Sequence, residues 1–217
     1  MNGTLDPVVA LDGVPGIAAG FIGRIPNLPV SLERADAMAL LSPIHRRILG
    51  DSGFGNLPMV TAEKVHGNLL AEVTGKTKSP VPLADALMTK SRGLTIGVYV
   101  ADCAPVWIVA RNGSAGALVH SGKKGTELGI VPKAINRILE ASTLAPEDLR
   151  LVIGPCIRPP CYEIDFAAII GEQARNCGVT DVHDEKICTA CHPDLYYSYR
   201  REKGLTGRML ATLTLLP

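Results

Sequence analysis

Apolar and polar positions fall along the chain in short blocks that separate strands from amphipathic helices. VVAL (8–11), GIAAGFIGRI (16–25) and PMVTAEKVH (58–66) are partly β-branched runs bounded by Gly, Pro and Asn, and they predict strands. Two helical pieces are expected between the second and third of these. Ser31 stands as the cap of SLERADAMALL, and Ser42 with Pro43 at the first helical position opens PIHRRIL, which stops at Gly50.

The middle of the chain is the most strongly patterned. GLTIGVYVADCAPVWIVAR (93–111) is almost continuously apolar, broken at Asp102 and Pro105, and AGALVH (115–120) follows it. One-sided burial would give cleaner alternation, so these runs predict central strands covered on both faces. After the turn SGKKG, Leu128, Val131, Ile135, Ile138 and Leu139 recur at helical spacing, with Thr126 as the expected N-cap and Pro132 in or near the first turn. RLVIGP (150–155) predicts a further strand. It leads through the loop PCIRPPCYEID to a helix capped by Asp165 and ended near Gly178. Strands and helices mix throughout, which gives an α/β or α+β class in one domain over residues 1–217.

Composition narrows the partners. The 217 residues are 47% hydrophobic, enough for a full core without a second domain. Twenty-two basic residues against 21 acidic ones leave a net charge of +1, so no global field recruits nucleic acid or an anionic membrane. Aromatic residues make up only 4%, little material for stacking bases of a nucleic acid. Asp6 and Asp12 interrupt the apolar residues near the start, and no uninterrupted run of roughly 20 apolar residues follows. A cytoplasmic protein with a small-molecule partner is expected, with its six cysteines as free thiols or metal ligands.

Three polar residues stand at the ends of apolar strands: His66 in KVHG, Cys103 in ADC and His120 in LVHSG. A thiolate flanked by two imidazoles makes an open zinc site, with a fourth position left for water or substrate. Two other readings stand beside it. Cys103 can be a small core residue among ordinary histidines, or a nucleophile with His120 as its base in a cysteine hydrolase. Glycine-bounded backbone in HSGKKGTELG, with Lys123 and Lys124, adds a candidate anion site next to His120. Near the end, CTACH (188–192) spells the C-x-x-C-H pattern of attached haem. Haem attachment is normally extracytoplasmic, and no export segment is evident, so haem is not expected. A structural zinc on Cys188, Cys191 and His192 would need a fourth ligand such as His183.

KVHG (64–67), DALMT (85–89), ADCAPV (101–106), VHSGKKGT (119–126), IGPCIRPPCYEI (153–164), ICT (187–189) and YYSYRREKGLTGR (196–208) together resemble the laccase-domain family. That family was first named multicopper polyphenol oxidoreductase and is now understood as zinc-dependent purine nucleoside phosphorylases. The resemblance implies a layered α/β sandwich with mixed central β-sheets and outer helices. It implies zinc on His66, Cys103 and His120, with copper able to compete in vitro, and Cys103 and His120 as catalytic residues. Purine nucleoside and phosphate are the implied substrates, with methylthioadenosine cleavage and adenosine deamination as further activities. Arg47 or its neighbour Arg46, Lys124 and Arg158 are candidate phosphate contacts, and Tyr162 and Glu163 candidate pocket walls. It also accounts for CTACH without haem, because Cys188 and Thr189 match a C-T pair of the family.

The chain departs from the family pattern at four positions. Lys64 stands where a glutamine is usual, and Ser121, Lys123 and Lys124 stand where alanine, tryptophan and arginine are usual. Lysine keeps positive charge but not the planar two-pronged grip of arginine on phosphate. These changes keep open a cysteine hydrolase, or a divergent protein that binds metal or nucleoside without turnover. A multicopper oxidase is disfavoured, since five histidines are too few for several copper clusters.

Overall fold

Alternate residues of single strands serve two different cores, and this sets the layering. In β8 (Ala104–Ala110), Trp107 and Val109 belong to one apolar cluster, while Val106, Ile108 and Ala110 belong to another. β9 (Gly116–Ser121) and β10 (Leu149–Ile153) divide in the same way, Leu118 and Val152 facing the first cluster and Ala117, Val119, Leu149 and Leu151 the second. Both faces of this sheet are therefore covered, which is why the middle runs are apolar without alternation.

The computed structural model describes residues 3–217. The remaining strands are β1 (Asp6–Pro7), β2 (Ile17–Ile22), β3 (Met59–Glu63), β4 (Leu70–Glu72), β5 (Val81–Pro82), β6 (Ala86–Thr89), β7 (Leu94–Val100), β11 (Asp181–Asp184) and β12 (Met209–Leu215). The helices are α1 (Arg34–Asp51), α2 (Lys123–Glu127), α3 (Ile130–Ser142) and α4 (Phe166–Asn176). The strands form two six-stranded sheets, ordered β1-β2-β12-β7-β3-β5 and β11-β10-β8-β9-β6-β4. Both are mixed: β12 runs antiparallel to β2 and β7, β3 parallel to β7, and β10 parallel to β11.

The first cluster fills the space between the sheets, with α1 covering the far side of the first sheet, where His45 stacks on Tyr99. The second lies between the second sheet and α3 and α4. The result is a layered sandwich of mixed α/β class, helix outside, two sheets within, helices outside again. Trp107 ties the sheets together, its fully buried indole N–H donating to the Thr212 carbonyl at 2.9 Å.

Four local expectations are corrected. Residues 8–11 are not a strand; Val9–Leu11 form a 3₁₀ turn that buries Leu11 and leaves Val9 exposed. The two helices expected at 31–50 are one helix running through Pro43. The buried stripe of Ala37, Leu41, His45, Ile48 and Leu49 spans both sides of that proline, and packing outweighs the one backbone bond it removes. Thr126 does not cap α3. Gly129 does, with φ of +69°, because this left-handed residue splits α2 from α3. Finally, β12 was not expected at all, yet it is a fully buried strand near the middle of the first sheet.

Candidate metal centre

His66, Cys103 and His120 come together from two connections and a strand. His66 lies in the loop after β3, Cys103 in the turn between β7 and β8, and His120 near the end of β9. One nitrogen from each histidine and the Cys103 sulfur all lie within 4.8 Å of one another, close enough for one ion to touch all three. The imidazole rings meet edge to face, their centroids 5.1 Å apart.

Asp85 organises both imidazoles. Its fully buried carboxylate accepts the backbone N–H groups of Val65, His66 and Gly67 at 3.1, 2.9 and 2.8 Å, holding the His66 loop with His66 at φ of +59°. The same carboxylate lies 3.0 Å from Nδ1 of His120. Burial pushes the Asp85 pKa up, but the bond to His120 and those from Gly67 and Val65 outweigh it and bring it down to about 2. An ionised carboxylate can only accept, so Nδ1 of His120 carries a proton and Nε2 keeps its lone pair. That Nε2 is buried and has no hydrogen-bond partner within the protein. Burial, reinforced by the charge of Lys64, lowers the His120 pKa to about 3 and lowers that of His66 as well. Both imidazoles are thus held neutral, the form that binds metal.

Cys103 is admitted by the absence of a side chain opposite. A Cβ on Gly122 would stand 2.4 Å from the Cys103 sulfur. Burial pushes the Cys103 thiol up to about 11, although neighbouring Lys64 works against the shift. The thiol is therefore no free nucleophile at neutral pH, and a divalent cation is the chemistry that would ionise it. An orphaned lone pair on His120, a neutral partner imidazole and a thiol within reach fit a zinc-type ion.

Asp102 shapes the wall beside Cys103. Its carboxylate accepts the Thr189 hydroxyl at 2.7 Å, the Ser198 hydroxyl at 3.1 Å and the Arg200 backbone N–H at 2.7 Å. Two distant segments, one around Thr189 and one at 198–200, are thereby pinned to the Cys103 turn. These bonds commit the Asp102 carboxylate to partners other than His120.

The metal-ligand group opens into a cavity of about 820 Å³. Arg34, Lys64, Lys123, Arg200, Lys203 and Arg208 supply its positive charge, and Tyr162, Phe166 and Tyr199 its aromatic wall. The candidate phosphate contacts lie elsewhere. Lys124 and Arg47 are exposed and do not line this cavity, and Arg158 is ion-paired with Asp184. Glu163 is outside the lining too, reaching Arg200 at 3.3 Å. Sequence reasoning missed Asp85 and the cations from residues 200 to 208, although the blocks DALMT and YYSYRREKGLTGR contain them. Of the departures, Ser121 is buried against the Thr126 hydroxyl at 2.8 Å, and Lys64 and Lys123 face the cavity.

Fold and site together define an α/β sandwich protein with a His, Cys, His grouping suited to a metal ion, His120 buried and His66 exposed, lining a cationic cavity. The chain belongs to the family described as multi-copper polyphenol oxidoreductase laccase, whose model matches residues 23–169 and 164–216. Among its relatives, YlmD of Geobacillus stearothermophilus, named a purine nucleoside phosphorylase, is 30% identical, the match covering 87% of this chain and 84% of that one. YfiH of Escherichia coli, with the same enzyme name, is 27% identical over 75% of this chain and 76% of its own. The crystal structure of the Geobacillus YlmD superposes with a TM-score of 0.82 at 26% identity, covering 94% and 93% of the two chains. That of a Bacillus licheniformis YfiH gives the same TM-score at 21% identity, a likeness of fold. No described helix is long and apolar enough to cross a membrane.

Proposed function

We propose that this protein is a zinc-dependent purine nucleoside phosphorylase, with His66, Cys103 and His120 as the zinc ligands and the cationic cavity as the substrate site. The observation that carries the reading is the buried, unpartnered Nε2 of His120 beside His66 and Cys103 at the base of that cavity. The names of the relatives supply the substrate class. The whole chain is read as one unit, because the cavity lining runs from Glu33 to Arg208.

When bound, zinc would supply positive charge and a Lewis acid at the cavity floor. The protein's own groups do the rest. The aromatic rings of Tyr162 and Tyr199 give the purine a place to stack, and cation–π contacts steady both, Arg200 lying 4.7 Å from the Tyr162 ring and Arg208 5.9 Å from that of Tyr199. Arg34, Lys123 and Arg208 offer charge for phosphate in place of Lys124, Arg47 and Arg158. Phosphate attacks the anomeric carbon while the glycosidic bond to the purine breaks, and cationic groups stabilise the charge that leaves with the base. Methylthioadenosine fits the same scheme. Adenosine deamination would instead have water add at C6 of the purine and the amino group leave as ammonia, giving inosine, with the base held in the same cavity.

The cysteine hydrolase alternative has less support. It needs a hydrogen bond from Cys103 to His120, yet the Nε2 of His120 has no partner and the thiol is pushed up to about 11. The deciding experiment incubates zinc-loaded protein with adenosine, with and without phosphate. Adenine and ribose 1-phosphate appearing only with phosphate, and lost in His120→Ala, are expected. Inosine in both conditions would assign deamination, and no turnover with retained zinc would make the protein a binding module.

A further inference from the structure

Away from the cavity floor, the thiols of Cys161, Cys188 and Cys191 converge. All three sulfurs lie within 4.8 Å of one another, and those of Cys161 and Cys191 are 3.4 Å apart. Cys161 comes from the loop between β10 and α4, while Cys188 and Cys191 bracket the 3₁₀ turn Thr189–Cys191. We propose that these three cysteines form a second metal site, separate from the His66, Cys103 and His120 group, which binds zinc through three thiolates and leaves its fourth position to solvent at the exposed Cys191.

The spacing suits an ion better than a disulfide. Zinc–sulfur bonds of about 2.3 Å at tetrahedral angles put sulfurs about 3.8 Å apart, within the spread seen here. A disulfide joins two sulfurs at about 2.05 Å and would leave the third thiol without a partner. Three sulfurs this close would repel one another as bare thiolates, and a divalent ion removes that conflict. Each thiol gives its proton to solvent as it ligates, so the ion replaces up to three protons and nothing is oxidised or reduced.

Backbone pairing places one of the ligands beforehand. Cys188 lies opposite Cys156 in an isolated parallel backbone β-bridge, with Cys156 N–H donating to the Ile187 carbonyl and Thr189 N–H to the Cys156 carbonyl, both at 3.1 Å. The expected ligand set changes accordingly. Cys161 completes the group that the C-x-x-C-H spacing suggested, in place of His192 or His183.

The site would brace the cavity wall without entering it. Thr189, flanked by two of the cysteines, is the residue whose hydroxyl bonds Asp102 beside Cys103, and Tyr162, next to Cys161, lines the cavity. An ion on the three thiols ties these two segments to each other. This inference stands whether or not the protein is a phosphorylase.

The test uses the full chain purified under reducing conditions, loaded with zinc and freed of excess. Elemental analysis should find one zinc fewer in Cys191→Ser and in Cys161→Ser than in the wild type, with Cys103→Ala losing the other. Cobalt substitution provides a readout independent of activity. Cys103→Ala, in which the cluster is untouched, should retain an intense sulfur-to-cobalt charge-transfer band, and the further change Cys191→Ser should abolish it. Wild-type zinc content in Cys191→Ser, or no thiolate band in Cys103→Ala, would overturn the proposal. So would a Cys161–Cys191 disulfide whose reduction gives no zinc uptake.

Discussion

The carboxylate of Asp85 lies 3.0 Å from Nδ1 of His120 while also holding three successive N–H groups of the loop that carries His66. One buried anion therefore sets the tautomer of one imidazole and the backbone of the other. Asp85→Asn removes the charge and can present an amide N–H to Nδ1, which would place the imidazole proton on Nε2. Zinc affinity is expected to fall about 10- to 100-fold, as for other partners of metal-bound histidines. A competition titration against a chromophoric chelator measures it, and unchanged affinity would refute the role.

Gly122 makes room for the Cys103 sulfur. Gly122→Ala would place a methyl group 2.4 Å from that atom, so the thiol must move off the axis it shares with the two histidines. Overpacking of this kind costs about 1–3 kcal/mol. The expected signature is a modest fall in Tm together with a larger loss of bound zinc, read by calorimetry and elemental analysis on the same samples.

Lys64 is buried in the cavity wall, and burial, chiefly, brings its pKa down to about 8. Its charge opposes any cation at the neighbouring ligands. Lys64→Gln should tighten zinc binding at neutral pH, and the advantage over wild type should shrink as pH rises through 8 and the lysine loses its proton. A constant ratio of affinities across pH 7 to 9.5 would count against this electrostatic role.

His45 is fully buried under α1, stacked on Tyr99, with neither ring nitrogen hydrogen-bonded within the protein. Burial lowers its pKa from 6.5 to about 4. Between those values the unfolded chain binds a proton that the folded chain does not, so stability falls as pH drops from about 6.5 to 4 and levels off below. At about 1.4 kcal/mol per pH unit, the loss amounts to roughly 3 kcal/mol at most. His45→Leu should flatten this part of the curve of urea-midpoint stability against pH.

His66, Cys103 and His120 were legible in the sequence because polar residues at the ends of long apolar strands stand out against their surroundings. Asp85 was not, since its importance comes from three backbone donors some 20 residues earlier and a side chain 35 residues later. The central strands were legible from unbroken apolar runs. The strand MLATLTL was missed despite its burial, and Pro43 divided α1 on paper because local rules cannot weigh the packing on either side of it. Likewise, the cations at 200–208 reach the cavity through Asp102, whose bonds to Thr189, Ser198 and Arg200 leave no trace in local spacing.

β12 pairs with β2 on one side and β7 on the other, although both precede it by more than 100 residues. During synthesis the ribosome delivers this strand after both of its partners. Until it arrives, β2 and β7 present open edges to the cellular milieu, and unpaired edges invite association with other chains. The first sheet therefore cannot close until β12 has been made, so its middle is completed by the contacts of longest sequence separation in that sheet and forms slowly.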